Sequence, residues 1–151
     1  MGGGKVSQQD PVFEFFRSIN IIQSLSQARV EQALPGEMLL SHFGVLNHLS
    51  VPDREPTPAE LADSFQVKRP SMTNTINKLE RMGFVRVRPD PTDGRSKRVS
   101  ITTAGVKAHL AARNAMPPVF RDLVDEFGVE AFVALLPQLQ AIKQFLDTHR
   151  K

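Results

Sequence analysis

Along the first segment, the apolar residues Val12, Phe15, Phe16, Ile19 and Ile22 recur at steps of three and four, the period of a helix with one apolar stripe. The pattern loosens through Leu25 and Val30, and Pro35-Gly36 ends it. A second helical pattern over residues 37–49 puts Leu39, Phe43, Leu46 and Leu49 on its inner face, and Pro52 to Pro56 reads as a loop. Thr57-Pro58-Ala59-Glu60 then combines an N-cap hydroxyl, a proline at the first helical position and a glutamate able to close a capping box, which predicts a short helix over 58–64. Another helix begins near Pro70, because a residue before proline is driven out of the helical region and Arg69 therefore sits at the boundary. It runs to Met82, buries Met72, Ile76 and Leu79, and stops at Gly83, a suitable left-handed residue beyond a helix end.

The period then changes from helical to two. Val85 and Val87 alternate with Arg86 and Arg88, and after Pro89 to Ser96 the alternation returns as Arg98 and Ser100 against Val99 and Ile101. This predicts a β-hairpin with a long charged tip holding Asp93-Gly94. Thr102 or Thr103 caps a helix to about Ala115, which Pro117-Pro118 must kink or interrupt. A last helix from about Glu130 carries Phe132, Leu135, Leu136, Leu139, Ile142 and Leu146 on one face, with a bend expected at Pro137. The fold class is mainly α with a small β-hairpin.

The chain has 151 residues and a net charge of +3, a size that suits one compact domain over 11–151. Residues 1–10, with Gly2, Gly3 and Gly4, read as a flexible lead. Charge is unevenly spread: residues 66–100 hold nine basic side chains against three acidic ones, a local excess of six that leaves the rest at −3. A basic module on a mildly acidic body is the electrostatic footprint of a nucleic-acid binder, although a solvated surface can also be basic. No cysteine is present, which excludes disulfides, thiolate metal sites and thiol switches. No run of 18 apolar residues occurs, and the first ten residues lack the apolar core of a signal peptide, so a cytoplasmic location away from membranes is expected.

Two short helices followed at once by a basic hairpin, over 57–101, form a winged helix–turn–helix. Its second helix can enter a DNA major groove while the hairpin lies along the backbone or reaches the minor groove. Opposite Met72, Ile76 and Leu79, that helix presents Ser71, Thr73, Asn74, Asn77, Lys78 and Arg81. These are donors and acceptors able to read base edges or grip phosphates, though Ser71 and Thr73 can also satisfy the first turn and Arg81 can pair with Glu80. Asn74 and Asn77 are poor interior helix formers, which favours contact with DNA over a structural role. Lys68, Lys78, Arg86, Arg88 and Lys97 are the candidate phosphate contacts.

Residues 57–105 resemble the MarR family of bacterial transcription regulators. The strings that carry the likeness are Thr57-Pro58-Ala59-Glu60-Leu61-Ala62, Lys68-Arg69-Pro70-Ser71-Met72-Thr73, Leu79-Glu80-Arg81-Met82-Gly83-Phe84-Val85, and Ile101-Thr102-Thr103-Ala104-Gly105. The most specific is the wing string Asp90-Pro91-Thr92-Asp93-Gly94-Arg95-Ser96-Lys97. The resemblance implies a homodimer built from helices in 11–34 and 106–147, bound to double-stranded DNA at an imperfect palindrome. It implies that Arg95 enters the minor groove and that Asp93 holds it in orientation, in keeping with the negative potential of a narrow A·T-rich groove. An ordinary Asp-Gly turn with incidental charges is the plainer reading. One departure stands out: Lys68 replaces the Ser or Thr that caps the recognition helix in several relatives. The pair Lys68-Arg69 then suits a phosphate, since positive charge at a helix N-terminus is unfavourable without an anion.

The resemblance also implies a small aromatic or phenolic effector, for which Phe15, Phe16, His42 and Phe43 are the candidate lining; helical phenylalanines equally suit plain core. His42 and His48 are six apart and off one helical face, so no metal site is expected. There is no P-loop, dinucleotide glycine fingerprint, nucleophile elbow or His-Glu zinc pair, so neither an enzyme nor a cofactor is expected.

Overall fold

The computed structural model describes residues 10–149, so the predicted lead lies, apart from Asp10, outside the described residues. The chain divides into two compact units, one up to Met116 and one from Pro117.

The first unit opens with α1 (Pro11–Ala33), capped by the Asp10 side chain, which accepts from the Val12 N–H. Only its C-terminal end is embedded: Val30 and Leu34 are buried, and α1 meets α2 (Leu40–Leu49) there. The stripe read along α1 stays open, with Val12, Phe15, Phe16 and Ile22 all exposed. Helix α2 starts three residues later than its periodicity suggests. Leu39, assigned to the inner face, is the exposed N-cap residue, and its backbone N–H donates to Nδ1 of His42 at 3.0 Å. Val45, Leu46 and Leu49 form the centre of the core.

The predicted capping box forms at α3 (Pro58–Phe65): Oγ1 of Thr57 accepts from the Glu60 N–H at 3.1 Å, and the Glu60 carboxylate accepts from the Thr57 N–H at 2.7 Å. Helix α4 (Arg69–Arg81) buries Met72, Ile76 and Leu79 as expected, each side chain contributing about 1.5–3 kcal/mol by leaving water. Gly83 takes the left-handed conformation, with φ of 76°. Strands β1 (Val85–Pro89) and β2 (Lys97–Ile101) pair antiparallel, with Val87 opposite Val99 and Pro89 opposite Lys97. Val99 is fully buried and its N–H donates to Pro56 O at 3.0 Å, tying the hairpin to the loop before α3.

Thr102 is the N-cap of α5 (Thr103–Ala115) and accepts from the Gly105 N–H; its hydroxyl donates to Gly83 O at 2.6 Å. A Cβ on Gly105 would lie 2.1 Å from the Phe84 carbonyl oxygen. Only glycine allows α5 to approach the start of β1 so closely.

In the second unit, Pro117–Phe120 is a 3-10 turn, the interruption that the proline pair predicts. It leads into α6 (Arg121–Phe127), a short helix that periodicity did not reveal, and Gly128 with φ of 74° separates α6 from α7 (Val129–Thr148). Helix α7 continues through Pro137, and its apolar stripe is exposed at Phe132, Leu135, Leu136, Leu139 and Leu146. Among the described residues no helix is long and apolar enough to cross a membrane.

Candidate nucleic-acid interface

Helix α4 divides into three longitudinal strips. With about 100° per residue, Asn74 and Arg81 point directly away from the buried stripe. Thr73, Asn77 and Glu80 face the hairpin, where with Arg88 and Lys97 they line a surface concavity of about 360 Å³. Lys78 and Met82 face α2 instead, beside Leu39 and His42. Lys68, Arg69, Ser71, Thr73, Asn74 and Asn77 are all exposed, whereas Lys78 is half-buried. The structure thus gathers most of the sequence candidates on one open face and sets Lys78 at its edge.

The N-terminus of α4 carries no side-chain cap: Lys68 is the N-cap residue and contributes only its carbonyl, which accepts from the Met72 N–H at 3.1 Å. Thr75, on the same helix, donates its hydroxyl back to Ser71 O. Arg81 does not pair with Glu80. Its Nε donates to Asn77 O at 3.4 Å, and the Glu80 carboxylate accepts from the Val87 N–H at 3.2 Å. That bond occupies an N–H on the outer edge of β1 and links the hairpin directly to α4.

On the opposite edge the hairpin is held by a cluster that sequence reasoning did not single out. Oδ2 of Asp90 accepts from Nε of Arg98 at 2.6 Å, and the same guanidinium donates to Glu55 O at 3.1 Å and lies 3.7 Å from the Glu60 carboxylate. Oδ1 of Asp90 accepts from both the N–H and the hydroxyl of Thr92, each at 2.8 Å. The Thr92 N–H, the Thr92 hydroxyl and Arg98 hold the Asp90 carboxyl well below the usual carboxylate range, against the opposing effect of burial. In the sequence Asp90 stands only in the wing string and Arg98 only in the strand alternation, and neither pattern marks the two as partners. The available signal was Asp90-Pro91-Thr92, an aspartate two residues before a threonine, the spacing of an Asx-turn.

Beyond this anchor Arg86, Arg88, Asp93, Arg95 and Lys97 are exposed. Oδ1 of Asp93 accepts from the backbone N–H of Arg95 at 3.0 Å. Asp93 therefore fixes the backbone that carries Arg95, and among the described residues the Arg95 guanidinium has no ion-pair partner. The surface formed by α4 and the hairpin is polar, cationic and rigidly referenced to one core, a geometry suited to a duplex groove and its flanking phosphates.

The four candidate effector residues occupy separate settings. Phe15 and Phe16 contact each other edge to face on α1, with ring centres 5.3 Å apart. His42 is buried at the head of α2, and the half-buried Phe43 ring stacks on His109 at 5.5 Å. Among the described residues no group of three or more His, Asp or Glu side chains is placed to hold a metal ion.

Residues 37–96 match the sequence model of the MarR family, a span that begins just before α2 and ends at the wing tip. This segment is similar to the MarR family over those residues. Over 59 residues the chain is 46% identical to an uncharacterized HTH-type transcriptional regulator of Mycobacterium leprae, a match covering 39% of this chain and 41% of that protein. It therefore spans about two fifths of the length of the curated relatives that it matches. The MarR fold itself extends further. A Cys-to-Ser mutant of Escherichia coli MarR complexed with operator DNA superposes with a TM-score of 0.78 at 20% identity, over 87% of this chain and 94% of that one. The organohalide-sensing RdhR regulator in its 2,4-dichlorophenol-bound form gives a TM-score of 0.84 at 15% identity, over 97% and 88%. Likeness at this level of identity establishes a shared winged-helix architecture.

Proposed function

We propose that this protein is a sequence-specific double-stranded DNA-binding transcription regulator rather than an enzyme. It acts in the cytoplasm and binds a palindromic operator as a homodimer. The observation that carries the reading is the open polar face of α4 beside a hairpin fixed along both edges, which supports Asn74 and Asn77 as contacts to base edges and Arg95 as a contact to an adjacent minor groove. Ser71 and Thr73 supplement the base contacts. Lys68, Arg69, Arg86, Arg88 and Lys97 supply phosphate contacts, with Lys78 at the margin. Operator DNA in the complex of E. coli MarR supports the assignment of the duplex as ligand.

Dimerisation is supported by apolar faces that the chain leaves uncovered: Phe13 is 51% and Ile22 64% exposed on α1, and Leu135 is 56% and Phe145 60% exposed on α7. Faces of this kind are ordinarily covered by a partner. The dichlorophenol-bound relative supports a small aromatic or phenolic effector, with Phe15, Phe16, His42 and Phe43 as candidate contacts.

Selection of bound fragments from random DNA by the purified protein tests the reading. A palindromic consensus whose binding weakens steeply with salt is expected, because neutralised phosphates release counterions. Recovery of no consensus, together with a log–log salt slope near zero, would overturn it.

A further inference from the structure

Val87 and Val99 face each other across the hairpin. Val99 turns its N–H away from β1, to Pro56 O at 3.0 Å, and Val87 turns its N–H away from β2, to the Glu80 carboxylate at 3.2 Å. In an antiparallel ladder this is the pair that does not bond across, so both donors point to the outer edges. One cross-strand pair is therefore tethered on both sides, to the loop before α3 on one and to α4 on the other.

The two tethers differ in strength. Along β2 the bond to Pro56 is reinforced by the fully buried Val99 side chain and by Arg98, which donates to Glu55 O. Along β1 the outward positions, by alternation from the register, are Val85, Val87 and Pro89. Proline has no N–H, so Val87 holds the last outer-edge donor before the tip. Glu80 occupies that donor from an exposed position, and it is the one acid in the lining of the concavity between α4 and the wing, beside Arg88 and Lys97. Its carboxylate makes no ion pair among the described residues. A negative charge on a surface that meets phosphates opposes binding. The bond to Val87, rather than either neighbouring cation, accounts for an acid at this position.

We propose that Glu80 is a positioning residue for DNA recognition, an inference that rests on the DNA-binding reading above. Through the Val87 N–H it fixes the angle between wing and α4, and with it the span between the major-groove and minor-groove contacts. Beyond Val87 the strand runs two residues to Pro89, about 7 Å at the rise of a strand, and the tip loop carries Arg95 further out. A small rotation at Val87 thus becomes a larger displacement of the guanidinium. Without the bond the hairpin pivots on its β2 edge, and Arg95 no longer meets the minor groove at a fixed distance from Asn74.

The test combines hydrogen exchange at the Val87 and Val99 amides of the free protein with titrations against the selected operator and the same operator with scrambled flanks. Glu80→Ala should speed exchange at Val87 and should lower the preference for the true flanks about fivefold, the equivalent of one hydrogen bond. Glu80→Gln keeps an oxygen acceptor. It should retain the Val87 protection and the flank preference, and bind both DNAs about twofold more tightly because a like charge near phosphate is gone. Unchanged protection at Val99 verifies that each variant is folded. Undiminished flank preference in Glu80→Ala, or an equal loss of preference in Glu80→Gln, would overturn the role of Glu80 and leave the DNA-binding reading standing. Failure of the unaltered protein to select any operator would instead overturn that reading, and this inference with it.

Discussion

Asp90 and Arg98 meet across the base of the wing at 2.6 Å, and this contact joins a buried carboxylate in the tip loop to a guanidinium that also grips the carbonyl of Glu55 before α3. A hairpin held only by its ladder would be free to swing; this one is referenced to the helix–turn–helix. Asp90→Asn should therefore lower the melting temperature and weaken DNA binding, whereas Arg98→Lys should retain part of the stability while losing the bond to Glu55. The sign of the pH effect follows from the depressed Asp90 pKa. Its contribution is complete above the ordinary carboxylate range and disappears only as pH falls through the lower folded value. Urea melts of both proteins down to strong acid should show the gap closing there, and a constant gap would argue against the ion pair.

Gly105→Ala should destabilise the fold by about 3 kcal/mol, because the new methyl group meets the Phe84 carbonyl oxygen, a backbone atom that cannot turn aside. Gly94→Ala, with open space around it, should change stability by no more than about 0.5 kcal/mol. Denaturant midpoints of the two variants measure the contrast.

Stability should also decline as pH falls through and below the ordinary imidazole value of about 6.5. Burial, and then Arg113, hold His109 below the ordinary imidazole range, and His42 is shifted in the same direction. Above the unfolded value, about 6.5, both states are neutral and the contribution is complete. As pH falls below it the unfolded chain takes up protons first, and stability is lost until the lower folded values are passed. His109 Nε2 lies 3.0 Å from Asn47 Oδ1; His109→Gln keeps a donor there and should flatten the pH slope of the urea midpoint.

Three variants separate recognition helix from wing in titrations against the selected operator. Asn74→Ala should relax preference at one major-groove position per half-site and cost about 1–3 kcal/mol. Arg95→Ala should relax preference for A·T-rich flanks instead. Because Asp93 holds the Arg95 backbone N–H, Asp93→Asn, which retains an oxygen acceptor, should keep the flank preference, and Asp93→Ala should lose much of it. Tighter binding by Asp93→Ala with unchanged flank preference would show that Asp93 acts only as a charge near phosphate.

The local elements were legible in the sequence because their causes are local. Thr57, Pro58 and Glu60 specify a helix start among themselves, Gly83 suits a left-handed end, and the change from period three-and-a-half to period two at Val85 can come only from a helix giving way to a strand. The same patterns located the open face of α4, since Met72, Ile76 and Leu79 fix which side is buried. What the tertiary structure decided is which polar residues remain available. Arg98 and Arg95 are both arginines of one charged hairpin, yet one is bound to Asp90 and Glu55 while the other extends free from the tip. Lys78 and Asn77 are neighbours on one helix, yet one faces α2 and the other the wing. Partners 8 and 43 residues apart hold Arg98, and no periodicity encodes that choice, because a side chain's hydrogen bonds are set by what the folded chain brings within about 3 Å of it.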